Sequence, residues 1–81
     1  MTVHVQLFAR FRDVFESSVL QVELPDAATV ATLRERLGSM KPEIASLLER
    51  SQIAVQGEFA ADTVKLDATD EIALIPPVSG G

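Results

Sequence analysis

The amino-acid sequence predicts an α+β fold, a single mixed sheet covered on one face by a helix, and three observations lead there. Strand-like alternation opens and closes the chain, one long helical stripe lies between, and 81 residues leave room for a single hydrophobic core. Residues 1–81 therefore read as one domain, with residues 76–81 as a flexible C-terminal tail.

Val3, Val5 and Leu7 alternate with His4, Gln6 and Phe8, the period-two pattern of a half-buried strand. Leu20, Val22 and Leu24 repeat it against Val19, Gln21 and Glu23, and Pro25-Asp26 ends the run. The connection from Ala9 to Ser18 is too long for a tight hairpin. Its Phe11 and Phe15 sit one helical turn apart, so it reads as a short helix or a structured loop. Thr29 is placed to cap a helix whose apolar stripe is Val30, Leu33, Leu37 and Met40, with Gly38 suited to its C-terminal end. Arg34, Glu35 and Arg36 are expected to face water. Pro42 then starts a second, shorter helix with the stripe Ile44, Leu47 and Leu48. Ile53 to Val55 and Val64 to Leu66 are short strand candidates separated by a Gly57-Glu58 turn. Glu71 to Ile75 forms the last strand after a turn from Asp67 to Asp70.

Each of these apolar stripes needs cover, and a sheet wrapped on one face by the main helix provides it with the fewest layers. That is the β-grasp architecture. Its first two strands pair as a hairpin, and the helix returns the chain so that the last strand runs parallel to the first through a right-handed crossover. The C-terminus then leaves from a central strand.

Composition narrows the function. Apolar residues are 47% and charged ones 23% of the chain, a globular balance that disordered segments lack. A net charge of −5 argues against a phosphate-backbone partner and for an electropositive protein. With no cysteine there is no disulfide, no thiolate metal site and no thiol nucleophile. No apolar run approaches the ~20 residues of a membrane span, and Met1 leads directly into the first strand pattern, which points to a cytoplasmic address.

The ending Pro76-Pro77-Val78-Ser79-Gly80-Gly81 carries the strongest signal. Two prolines deny a sheet its donors and keep the exit extended, while the glycines have no side chain to anchor. Frayed ends are common, yet two terminal glycines arise by chance in roughly one chain in two hundred. An unbranched terminal glycine leaves its carboxyl open to reaction, and the four residues from Val78 span at most about 13 to 14 Å, enough to thread a narrow tunnel.

This ending, with Asp70 to Ile75 before it, Leu7-Phe8-Ala9-Arg10 near the start and Ile53-Ala54-Val55 in the middle, resembles the small subunit of molybdopterin synthase, in the ubiquitin-like sulfur-carrier family. The resemblance implies that Gly81 is adenylated by an ATP-using activating enzyme, converted to a thiocarboxylate with sulfur from a donor protein, and presented to the synthase's large subunit. There the sulfur converts cyclic pyranopterin monophosphate to molybdopterin. Two large and two small subunits assemble in that family. It also implies a non-catalytic subunit with no permanently bound cofactor, ATP being used by the activating partner. Val78, Ser79 and Gly80 would be the threaded tail. Gln56, where an asparagine is common, and Ala68-Thr69, in place of a glycine-containing turn, depart from the pattern. Carriage for thiamine thiazole or another acceptor, and a ubiquitin-like modifier joined to lysines through Gly81, are the competing readings.

Other residues weigh less. Phe8 and Ile75 fall on the polar parity of their strands and, with Ala73, Pro76 and Pro77, are expected to form an apolar docking surface at the root of the tail. His4, the single histidine, reads as a surface residue. Asp67, Asp70 and Glu71 lack calcium-loop spacing and read as a solvated turn, and Arg10 and Arg12 as a solvated or partner-facing pair. No metal site and no glycine-rich phosphate loop is expected.

Overall fold

A computed structural model describes residues 1–77. In chain order it contains β1 (Thr2–Leu7), α1 (Arg10–Phe15), β2 (Val19–Glu23), α2 (Val30–Met40), a 3-10 turn (Pro42–Ile44), α3 (Ala45–Glu49), β3 (Gln52–Val55), β4 (Glu58–Phe59) and β5 (Ile72–Ile75). The strands make one mixed sheet in the order β2-β1-β5-β3-β4. β1 pairs antiparallel with β2 and parallel with β5, while β3 is antiparallel to both β5 and β4. This is the β-grasp fold, and its last strand lies in the middle of the sheet.

Alternation decides which face is buried. Val3, Val5 and Leu7 of β1, Ile53 of β3, and Ile72 and Leu74 of β5 all turn inward onto Val30, Leu33 and Leu37 of α2 and Phe11 of α1. Strand alternation supplies one wall and a helical stripe the other, and the burial of apolar surface between them is what holds the sheet to the helix. At the N-terminus of α2, Thr29 Oγ1 accepts from Thr32 N and Thr32 Oγ1 accepts from Thr29 N, a reciprocal capping box.

The structure corrects several expectations. Val64 to Leu66 is no strand; it makes an isolated bridge between Lys65 and Thr29. Val30 N donates to Val64 O and Ala31 N to Asp62 O, so this segment satisfies the first orphan amides of α2. The turn after β3 is Gln56-Gly57, not Gly57-Glu58. Both residues have positive φ, 54° and 80°, as a two-residue type I′ hairpin requires, and Glu58–Phe59 is the returning strand. Met40 lies off the buried stripe and is exposed, and α2 runs past Gly38 to Met40. Arg34 does not face water. Its Nη1 donates to Leu48 O at 2.6 Å and to Ser51 O at 3.0 Å, and its Nε is 3.4 Å from Asp62. It ties α2 to the chain after α3, where carbonyls at a helix end need donors. Among the described residues no helix is long and apolar enough to cross a membrane.

Candidate functional site

β5 carries the chain out of the sheet centre, so the surroundings of Ile75, Pro76 and Pro77 are fixed by the strands and helices on either side. On the sheet face away from α2, register aligns Val19, Gln6, Ala73, Ala54 and Phe59 across all five strands. Ile75 lies opposite Gln52, and the parallel register that pairs Leu7 with Leu74 carries Phe8 toward Ile75. Phe8, Ala73 and Ile75 line one shallow hollow of about 230 Å³ with Gln6, Ala54 and Phe59. Phe8 is 41% exposed, Val19 46% and Phe59 66%, whereas Ile75 and Ala73 are half-buried. Large apolar groups left in water on one continuous face are the feature that marks a docking surface.

Beside the exit of the chain lies a second concavity, a groove of about 540 Å³. Ile44, Leu47, Ala9, Pro76 and Pro77 give it an apolar lining, and Arg10, Arg50 and Glu43 its charges. Pro76 and Pro77, expected to begin the flexible tail, are thus half-buried against the body of the domain. The approach to α1 is strained. Ala9 has φ 50° and ψ −123°, a conformation natural to glycine and costing other residues on the order of 1–3 kcal/mol. Its carbonyl accepts from Arg12 N and Asp13 N, and Phe8 O accepts from Phe11 N. This tight bend lets residues only two positions apart serve different places: Phe8 stays on the open sheet face while Arg10 reaches the groove.

Gln56 braces the start of β5. Its amide donates to Glu71 O at 2.8 Å and its side-chain Oε1 accepts from Glu71 N. In the turn before β5, Asp67 Oδ2 accepts from Thr69 N and Thr69 Oγ1, and Asp70 Oδ2 accepts from Asp67 N. The hydroxyl and amide of Thr69 hold the Asp67 carboxyl below the ordinary aspartate value of 3.8. These carboxylates therefore serve the turn's own hydrogen bonds. His4 is exposed on the open face, opposite Gln21.

Val78, Ser79, Gly80 and Gly81, the tail and reactive group expected from the sequence, lie outside the described residues. The structure does bring Phe8, Ala73 and Ile75 together and places Pro76 and Pro77 at the neighbouring groove. Sequence reasoning missed Phe59 because it missed β4; the clue was the glycine at the second position of a two-residue turn, with Phe59 two residues beyond it. It also missed Arg50, which is forty residues from Arg10 and joins it only through the fold.

Comparison with known proteins gives concordant results. The ThiS family model matches residues 5–81. The molybdopterin synthase sulfur carrier subunit of Dictyostelium discoideum is 39% identical over 80 residues, covering 95% of this chain and 93% of that protein. Among solved structures, small archaeal modifier protein 1 of Haloferax volcanii is 29% identical with a TM-score of 0.83, covering 100% of both chains. A complex of subunits 1 and 2 of the molybdopterin-converting factor from Helicobacter pylori contains a chain with the same fold, at 23% identity and a TM-score of 0.67, again covering 100% of both chains.

Proposed function

The chain belongs to the ThiS family, and from that premise we propose that it is the sulfur-carrying subunit of a molybdopterin synthase, working through the terminal carboxyl of Gly81. The single observation that carries this reading is the glycine-terminated segment leaving a central strand beside an exposed apolar face. The likeness to the Dictyostelium carrier subunit over nearly the whole chain supports it.

The chemistry needs no side-chain catalyst from this subunit. On an activating enzyme, the Gly81 carboxylate attacks the α-phosphate of ATP; pyrophosphate leaves and an acyl adenylate forms. Sulfide (HS−) supplied by a donor protein attacks the acyl carbon, the bond to AMP breaks, AMP departs, and loss of the sulfur-bound proton leaves a thiocarboxylate. Adenylation replaces a poor leaving oxygen with a good one, and a glycine offers no side chain to obstruct either attack. The large subunit then docks on Phe8, Ala73 and Ile75 and takes the tail from Pro76-Pro77 onward, placing the sulfur beside cyclic pyranopterin monophosphate. Position is decisive at such a step, since small misplacements are costly. The cytoplasm is the compartment in which this chemistry is proposed to occur.

Intact mass after incubation with the activating enzyme, ATP and a sulfur source tests the reading. The expected product carries sulfur in place of one oxygen of the terminal carboxyl. A chain with one residue added after Gly81 should fold normally and fail to load, and a chain lacking Gly81 should stop about 3.3 to 3.6 Å short of the transfer position. Full molybdopterin formation by the extended chain, its extra residue still attached, would overturn the proposal. A second reading, a modifier joined to lysines through Gly81, draws on the likeness to the archaeal modifier. It predicts a stable amide adduct on protein lysines where the carrier reading predicts transferred sulfur.

A further inference from the structure

The chain as a whole carries a charge of −5, but the groove at the tail root has the opposite sign. Its charged lining is Arg10, Arg50 and Glu43, two cations against one anion. Both arginines are exposed, and neither forms an ion pair among the described residues, where the pairs are Arg34 with Asp62 and the N-terminal ammonium with Asp26. Arg34 shows how this fold uses a guanidinium for structure, since its donors are taken up by two carbonyls and a carboxylate. Arg10 and Arg50 stand apart from that use.

Their position limits what can meet them. On the carrier reading, in which Gly81 is the reacting end, a partner that encloses it holds four residues beyond Pro77, about 13 to 14 Å of extended backbone, so its surface comes down close to Pro76 and Pro77. Those prolines share the groove with both arginines. The partner therefore faces two guanidiniums that make no ion pair among the described residues, and their planar forks match carboxylates bidentately. A nucleic-acid backbone is a poor match, because the net negative charge of the chain repels it.

Resting on the carrier reading above, we propose that this groove receives an acidic segment of the synthase's large subunit, whose carboxylates pair with Arg10 and Arg50 beside the point of tail entry. The contact supplies orientation. An apolar hollow around Phe8 and Ile75 allows several docked poses, whereas a local patch of opposite sign to the rest of the surface selects the pose that aligns the tail with its tunnel. The strained bend at Ala9 has a use here, because it sets Arg10 beside the exit while leaving Phe8 on the open face.

The test measures binding of the full chain to the purified large subunit at low and high salt, for wild type, R10E/R50E, R10K/R50K and I75D. Charge reversal should weaken binding by about tenfold at low salt, slow association and flatten the salt dependence, with an unchanged melting temperature. The lysine pair should keep the salt dependence and lose part of the affinity, because the planar fork is gone. I75D should lose binding at every salt concentration. Unchanged affinity and salt dependence in R10E/R50E, with binding still lost in I75D, would overturn the groove assignment and leave the carrier reading standing. Tighter binding by R10E/R50E would overturn it too, by indicating that the groove holds the chain's own terminal carboxylate. Failure of the wild-type chain to bind would remove the carrier reading and this inference together.

Discussion

The two faces of the sheet are built from the same strands but carry different loads. On the helix-covered face Val3, Val5, Ile53 and Leu74 are fully buried, at 0% exposure. On the open face Phe8, just past the end of β1, and Phe59 of β4 keep 41% and 66% of their surface in water. Folding uses the first set completely and leaves the second unspent. Neighbours in sequence such as Leu74 and Ile75 thus answer to different requirements, Leu74 to the stability of the core and Ile75, on the proposed carrier reading, to recognition.

Substitutions on the two faces should therefore separate, and the largest effect belongs to the covered one. Leu74→Ala should destabilise the fold by about 2–5 kcal/mol in a denaturant titration, since it opens a cavity in the core between sheet and helix. Ile75→Asp, one position later, should shift that titration less, yet remove the ~1.5 to 3 kcal/mol that its burial contributes to large-subunit binding, as calorimetry would read. Equal losses of stability in the two variants would break the division between faces. Ala9→Gly, at the bend between open face and groove, should stabilise the chain by about 1 kcal/mol in thermal melts, because glycine tolerates the positive φ that alanine resists. The smallest effect lies in the turn that belongs to neither face. The Asp67 carboxyl is held below its ordinary value, so its contribution is fully present above the unfolded value and fades as pH falls through the folded one. Asp67→Asn should flatten the acid end of the stability profile slightly and leave binding unaltered; a clear effect on binding would place the turn within the interface.

The same contrast explains what could be read from the sequence. The covered face was legible because burial imposes a period: Val3-Val5-Leu7 and Ile72-Leu74 alternate, and Val30-Leu33-Leu37 recurs at helical spacing. Phe8, Ala73 and Ile75 were legible as exceptions to that period. β4 was not, since two residues make no pattern, and its turn depends on Gln56 adopting a positive φ that its side chain does not advertise. Val64 to Leu66 looked like a strand because apolar residues alternate with Lys65, but Val64 O and Asp62 O answer the amides of Val30 and Ala31 in α2. Arg34 read as a surface charge because its acceptors are backbone carbonyls, which the sequence cannot display. Of the site, Arg10 was read with Arg12 as a solvated or partner-facing pair, and the structure places Arg10 at the groove. Its association with Arg50 depends on α3 being folded back toward the last strand.

The place of β5 between β1 and β3 also has a mechanical consequence. A pull applied beyond Ile75 runs along the strand, and the ladders on both sides meet it together in shear instead of opening rung by rung. The parallel pairing with β1 and the antiparallel pairing with β3 both flank Ile72, Ala73 and Leu74, β3 also pairs Ile75, and the Gln56 bonds to Glu71 anchor the far end. A segment so mounted behaves like a bolt held between two rails. A load taken up beyond Ile75 thus leaves the body behind it in shape, which is what the proposed passage of the chain end between enzymes would require.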